Sequence, residues 1–154
     1  MRIKWFSLIR ITGLLLVLLY HFFQTIFPGG FFGVDVFFTF SGFLITALLI
    51  EEFSKDREID LIGFFRRRFY RIVPPVVLMV LVTMPFTFLV RQDYVAGIGG
   101  QIAGVLGFMT NFYELLTGGS YESQFIPHLF VHNWSLAVEV HYYILWGLAV
   151  WFLS

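Results

Sequence analysis

The sequence predicts an all-α protein, a polytopic transmembrane helical bundle of four or five spans. Hydrophobic residues make up 58% of the chain and charged residues only 13%, whereas soluble domains carry about 25% charged residues. Apolar stretches also recur at about the 20-residue length that crosses a hydrocarbon core. Six of the ten Lys and Arg residues fall in one connection between two such stretches, which is typical of a cytoplasmic membrane loop.

The first two predicted spans cover residues 11–27 and 31–50. Three basic residues precede the first span, and the sequence shows no small-residue cleavage site after it, so we interpret it as a retained anchor and not a signal peptide. Only Pro28, Gly29 and Gly30 separate the two spans. This short connection predicts a tight antiparallel hairpin.

Two further spans are predicted at residues 72–90 and 134–153. Pro74 and Pro75 lie at the start of the first of these, where a helix tolerates proline because its first amides have no partners. The stretch 94–113 holds five glycines together with polar residues. It is interpreted as either a close-packed span or a re-entrant segment.

The distribution of basic residues predicts the topology. The connection 51–71 is expected to be a cytoplasmic basic loop, so the N-terminus is cytoplasmic and the turn at Pro28 faces outward. Residues 114–133 contain no Lys or Arg and are expected outside as well. In that case the stretch 94–113 does not cross the membrane fully.

Three predicted spans carry one ionisable residue each that marks a candidate site: His21, Asp35 and Glu139. Such residues are costly at membrane depth and commonly mark a pathway or a site. If the hairpin turn is centred near Gly29, His21 and Asp35 lie within about one helical turn of the same depth. A carboxylate there would orient one imidazole nitrogen and leave the other as a general base. The alternative is that each residue only satisfies a hydrogen bond in the bundle.

Arginines form the second candidate feature. Arg10 lies on nearly the same helix face as His21, roughly 16 Å nearer the cytoplasmic rim. The segment FFRRRFYRIVPP, residues 64–75, has the pattern of an interfacial amphipathic helix. Its basic residues either bind lipid headgroups and fix orientation or hold the phosphates of a donor. These residues are Arg66, Arg67, Arg68 and Arg71.

Helical spacing around Glu139 places Tyr143 and Trp146 on its face and His141 away from it. His128 and His132 share a helical spacing of four, but they lie in an apparent loop and no further metal ligands cluster with them. No metal site is therefore predicted. The net charge of zero argues against a nucleic-acid partner. The absence of cysteine excludes thiol nucleophiles, disulfides and thiolate metal sites.

Four ordered blocks of this chain resemble the membrane acyltransferase-3 family. The blocks are Arg10 with His21 after ten intervening residues, GGFFGVDVFFTFSGFLIT at 29–46, FFRRRFYRIVPP at 64–75 and HNWSLAVEVHYYILW at 132–146. The resemblance covers nearly the whole chain. This sequence departs from the family's usual motif at Val140, which replaces a second acid. A role that needs two adjacent carboxylates is therefore not supported.

The resemblance implies transfer of an acyl group, usually acetyl from cytoplasmic acetyl-CoA, to a sugar hydroxyl of an extracytoplasmic glycan, with peptidoglycan as the expected acceptor. It implies catalytic roles for His21, Asp35 and Glu139, and donor binding by the arginine block and Arg10. His21 would either activate the acceptor hydroxyl or accept the acyl group itself. It also implies a cell-membrane protein, surrounded by lipid, of which this chain is a fragment. The expected partners are further C-terminal spans and an extracytoplasmic hydrolase-like domain. The fragment is predicted to be inactive alone.

Two readings from other classes stay open at this stage. Intramembrane His and carboxylate groups also serve proton relays, which would suit a transporter or flippase component. A non-catalytic assembly subunit is the third possibility. Dependence on coenzyme A distinguishes the first alternative from an acyltransferase, and loss of acetyl esters on substitution of His21 distinguishes the second.

Overall fold

The computed structural model describes residues 4–23, 25–90, 97–117 and 128–153. The described part contains six α-helices and no strand, which confirms the predicted all-α class. The helices are α1 (Lys4–Phe22), α2 (Phe32–Asp56), α3 (Leu61–Val90), α4 (Ile98–Leu106), α5 (Thr110–Thr117) and α6 (Trp134–Leu153). The chain divides into two compact units, Met1–Glu58 and Ile59–Ser154.

The first unit is the predicted helical hairpin. Helix α1 ends at Phe22, earlier than the predicted span, and Pro28 opens a 3-10 turn, Pro28–Phe31, that leads into α2. Proline suits that position because it lacks the amide hydrogen that a first helical residue cannot use. The two helices pack together closely at small residues: a Cβ on Gly33 would lie 2.6 Å from the carbonyl oxygen of Gly13.

In the second unit, α3 and α6 run antiparallel. Gly147 of α6 faces Phe64 near the start of α3, while Asn133, just before α6, lies against Met79 further along α3, with Nδ2 3.9 Å from Sδ. A core cluster of Val76, Val80, Val105 and Phe130 fills the space between α3, α4 and the segment that precedes α6.

The structure corrects two predicted boundaries. Helix α3 starts at Leu61 and runs through Pro74 and Pro75, so these prolines lie in its interior and not in its first turn. The connection 51–71 is largely helical, because α2 extends to Asp56 and α3 begins at Leu61, and its cytoplasmic location stays a prediction. The basic block and the third predicted span are therefore one continuous helix, in which each proline removes a single backbone hydrogen bond.

Asp60 explains why α3 begins where it does. Its Oδ1 accepts a hydrogen bond of 2.8 Å from the amide of Gly63, which is the arrangement of a helix N-cap. The cap fixes the helix start one residue later, at Leu61. All four arginines of the basic block consequently lie on the first three turns of a single helix.

The described part of the glycine-rich stretch, from Gly97 onward, is a hairpin of two short helices. A Cβ on Gly100 of α4 would meet the ring of Tyr113 of α5 at 2.8 Å, and a Cβ on Gly104 would lie 3.6 Å from the Cα of Thr110, so α4 and α5 are antiparallel. With nine and eight residues, neither helix has the length that crosses a membrane. Residues 94–96 lie outside the described part, and partial crossing stays a prediction.

Three helical segments of the described residues are long and apolar enough to cross a membrane, namely Pro28–Asp56, Leu61–Thr87 and Val131–Leu153, and the apolar helix Ile11–Phe22 is shorter. Large side chains on α3 and α6 also remain exposed, with Leu89 at 80% and Phe152 at 83%. Such contiguous apolar exposure is typical of surfaces that contact lipid or further protein.

Candidate functional site

A cavity of about 730 Å³ lies within the second unit. Helix α3 contributes Arg66 and Arg68, the end of α4 contributes Leu106, and α6 contributes Val140 and Tyr143. The remaining walls are aromatic and aliphatic: Ile62, Phe65, Phe69, Tyr70, Ile72, Val73, Phe108 and Ile144. The cavity is thus apolar with two guanidinium groups, and its volume lies in the usual range for small-molecule sites.

Arg68 is held in this cavity by two aromatic rings. Its guanidinium carbon lies 5.4 Å from the ring centroid of Phe64 and 5.6 Å from that of Tyr143, within the range of cation–π attraction. Phe64 is 2% exposed and packs against Gly147. The ring that contacts the guanidinium is therefore fixed in position. This packing orients the planar donors of Arg68.

Tyr143 links Arg68 to the intramembrane acid. Its hydroxyl donates a hydrogen bond to Oε1 of Glu139, one helical turn earlier on α6. The predicted shared face of Glu139 and Tyr143 is confirmed by this contact. Tyr142 stacks on Trp146 with ring centroids 5.9 Å apart, and His141 contacts Phe112 of α5, with ring centroids 5.5 Å apart.

The arginine block therefore divides into two groups. Arg66 and Arg68 line the cavity, whereas Arg67 and Arg71 do not contribute to its described walls. The side chain of Arg10 lies outside the described part, so its relation to His21 stays a prediction. Guanidinium donors at an apolar cavity can bind a phosphate or carboxylate in bidentate fashion while the walls take an uncharged chain.

The hairpin register does not place His21 and Asp35 at the same depth. A Cβ on Gly33 would touch Leu16, Val17 and the carbonyl of Gly13, so Asp35, two residues further along α2, is level with residues 11–15 of α1. His21 lies about 9 to 15 Å further along α1 at 1.5 Å per residue. The predicted offset of one turn is wrong because the chain reverses before Pro28. The 3-10 turn Pro28–Phe31 already lies against α1, and a Cβ on Gly30 would be 2.6 Å from the Cβ of Tyr20.

A carboxylate–imidazole pair does occur in the second unit, between residues that the sequence did not connect. His128 Nδ1 lies 2.6 Å from Glu114 Oε2, and the two side chains are only 7% and 8% exposed. The ring of Tyr113 packs on His128 with centroids 5.6 Å apart. Glu114 is the one acid in the short apolar helix α5, and that isolation was the available signal for it.

The described part is α-helical, with three helical segments long and apolar enough to cross a membrane, and it holds an apolar cavity that two arginines line. The family Acyl_transf_3, described as an acyltransferase domain, matches residues 3–154, and the chain belongs to this family. The family match confirms the resemblance of the four sequence blocks.

Among curated proteins, the chain is similar to O-acetyltransferase OatA of Staphylococcus aureus, strain NCTC 8325 / PS 47, with 32% identity over 145 residues, which are 94% of this chain and 24% of that protein. A second protein of S. aureus, strain COL, provisionally named an O-acetyltransferase, is 33% identical over 136 residues, 88% of this chain and 22% of that protein. The chain thus spans about a quarter of the length of these relatives. No solved structure matches it.

Proposed function

We propose that the protein is a membrane O-acyltransferase that moves an acetyl group from cytoplasmic acetyl-CoA to a hydroxyl of an extracytoplasmic glycan, with peptidoglycan as the first candidate acceptor. The observation that carries this proposal is the apolar cavity lined by Arg66 and Arg68 beside the Tyr143–Glu139 pair. Membership of an acyltransferase family and similarity to a protein named O-acetyltransferase support it.

The donor fits the chemistry of the cavity. Acetyl-CoA combines phosphate groups with a long uncharged arm, and the cavity combines two guanidinium groups with apolar walls. Arg66 and the ring-held Arg68 would bind the phosphates, for which the planar fork of arginine is suited. The positive-inside distribution of basic residues supports cytoplasmic entry of the donor and a cytoplasmic N-terminus.

His21 is the proposed catalytic residue of the first unit. An imidazole can take a proton from an acceptor hydroxyl, or it can accept the acetyl group and pass it on. Asp35 and Glu139 are proposed to support the reaction electrostatically. Because Asp35 is exposed on a different level of the hairpin from His21, its proposed contribution is no longer the direct orientation of the imidazole.

The test measures transfer of labelled acetyl from acetyl-CoA to isolated peptidoglycan by the complete protein in proteoliposomes. We expect formation of acetyl ester that depends on acetyl-CoA, loss of ester in His21→Ala, and a raised KM for acetyl-CoA in Arg66→Gln. The matched control is Lys55→Gln, which removes the same charge from an exposed side chain paired only within α2, to Glu51 at 2.6 Å.

Four outcomes contradict the proposal. Ester formation without a thioester donor would exclude acyl-CoA as the source of the group. Full activity of a folded His21→Ala variant would remove the catalytic assignment. An equal KM in Arg66→Gln and Lys55→Gln would mean that the cavity does not hold the donor. Movement of a glycan or ion across the vesicle membrane without ester formation would instead favour a transporter.

A further inference from the structure

We propose that Glu114 and His128 form the hydroxyl-activating dyad of the acceptor side, which takes a sugar hydroxyl as its ligand. This inference rests on the proposed function and assigns a second ionisable pair to it. The geometry is that of an oriented base: Glu114 Oε2 lies 2.6 Å from His128 Nδ1. When Nδ1 carries the proton, it donates to the carboxylate, and Nε2 is left as a proton acceptor.

Burial distinguishes this pair from a surface ion pair. The side chains of His128 and Glu114 are 7% and 8% exposed, and Tyr113 covers one face of the imidazole. Water therefore competes poorly for the Nδ1–Oε2 hydrogen bond, so the carboxylate holds the ring in one tautomer. In the described part of the chain, the titratable residues in contact with His128 are Glu114 and Tyr113.

Polar atoms left over beside the dyad indicate a hydroxylic ligand. Within the described residues, Glu114 Oε1 and Thr110 Oγ1 are buried and have no hydrogen-bond partner. Glu114 is 6% exposed and Thr110 is 2% exposed. Thr110 lies one helical turn before Glu114, on the same face of α5. Leaving such groups unpaired is costly, and a sugar hydroxyl, which both donates and accepts, matches a carboxylate oxygen beside a hydroxyl.

The position of the dyad suits the acceptor and not the donor phosphates. His128 precedes the 3-10 turn Val131–Asn133 at the start of α6, whereas Arg68 contacts Tyr143, the tenth residue of that helix. The helix rises by roughly 14 Å from its first residue to Tyr143. Acetyl-CoA carries its thioester and its phosphates at opposite ends of a long arm. Its phosphate site and its reaction site must therefore be separated.

The reaction step balances with the donor already named. The hydroxyl proton moves to His128 Nε2 while the hydroxyl oxygen forms a bond to the acetyl carbonyl carbon. The bond from that carbon to its leaving group then breaks. The leaving group, which in direct transfer is the thiolate of coenzyme A, receives the proton from His128. Glu114 remains ionised throughout as the partner of Nδ1.

The experiment uses the complete protein in proteoliposomes with labelled acetyl-CoA and a soluble N-acetylglucosamine oligomer as the acceptor probe. We expect His128→Gln to lower kcat by about 10²- to 10⁴-fold, the usual contribution of a general base, with little change in KM for acetyl-CoA. Thr117→Val, one turn beyond Tyr113 on the exposed part of α5, is the control and should keep the wild-type kcat and KM.

Glu114→Gln covers the case in which His128→Gln does not fold. The amide keeps a hydrogen bond to Nδ1 but removes the negative charge, so kcat should fall at least 10-fold with little change in KM for acetyl-CoA. A folded Glu114→Gln or His128→Gln variant with wild-type kcat would overturn the dyad alone. Absence of ester formation by the wild-type protein would overturn the proposed function, and the dyad with it.

Discussion

The guanidinium of Arg68 lies over the ring of Tyr143, 5.6 Å from its centroid, and this contact joins the basic block of α3 to α6. Since the hydroxyl of Tyr143 donates to Glu139, one aromatic side chain contacts both a cation and an acid. Arg68 and Tyr143 are 75 positions apart in the sequence. Antiparallel packing of α3 on α6 brings them to one wall of the same cavity.

Substitution of Tyr143 by Phe should separate these two contacts. The ring under Arg68 remains, but Glu139 loses its donor, and hydrogen bonds to charged groups contribute about 1.5–3 kcal/mol. We expect a fall of that size in the free energy of unfolding in detergent micelles. Tyr142→Phe is the control, because Tyr142 contacts its neighbours through ring stacking. An equal loss in the two variants would show that the hydroxyl of Tyr143 has no special role.

Gly147 should be required for the close approach of α3 and α6. A Cβ there would already lie 3.2 Å from Cε1 of the buried Phe64, so Gly147→Leu overpacks the contact at a cost of about 1–3 kcal/mol. The thermal midpoint in detergent should fall accordingly. Gly99→Ala should do the opposite, since nothing lies within 4 Å of a Cβ there and alanine favours helix by about 0.5–1 kcal/mol. Destabilisation by both would contradict the packing.

Asp60 should stabilise the start of α3 as its N-cap. Asp60→Ala removes the carboxylate that accepts from the amide of Gly63 at 2.8 Å, and loss of a cap costs about 0.5–2 kcal/mol. The measurement is amide hydrogen exchange of the first turn of α3, which should accelerate. Asp56→Ala removes the same charge from the exposed end of α2 and should leave that exchange unchanged.

Relationships within one helix could be predicted from the sequence. The shared face of Glu139 and Tyr143 follows from a spacing of four, which the helix geometry determines whatever the rest of the fold does. The antiparallel hairpin followed from two apolar stretches with a short connection. The start of α3 did not, because Pro74 and Pro75 suggested a helix start, while the cap at Asp60 set the start earlier.

Contacts between elements could not be predicted in the same way. Glu114 and His128 are fourteen residues apart, and their contact depends on how α5 packs beside the segment before α6, which no local spacing encodes. The depth of His21 relative to Asp35 failed for a related reason. That relative depth depends on where the chain reverses direction. The assumed turn centre at Gly29 took no account of the bend and the 3-10 turn.

The register of the first hairpin can be tested by cross-linking, because the chain has no native cysteine. The pair Gly13→Cys and Phe37→Cys should join readily through a short thiol-reactive linker, since a Cβ on Gly13 would lie 3.2 Å from the ring of Phe37. The pair His21→Cys and Asp35→Cys should not join, because the register separates their levels by about 9 to 15 Å. Mass spectrometry of the digested, membrane-embedded protein identifies the linked peptides. Efficient linkage of the second pair with little of the first would restore a hairpin centred near Gly29, and would return Asp35 to the role of orienting His21.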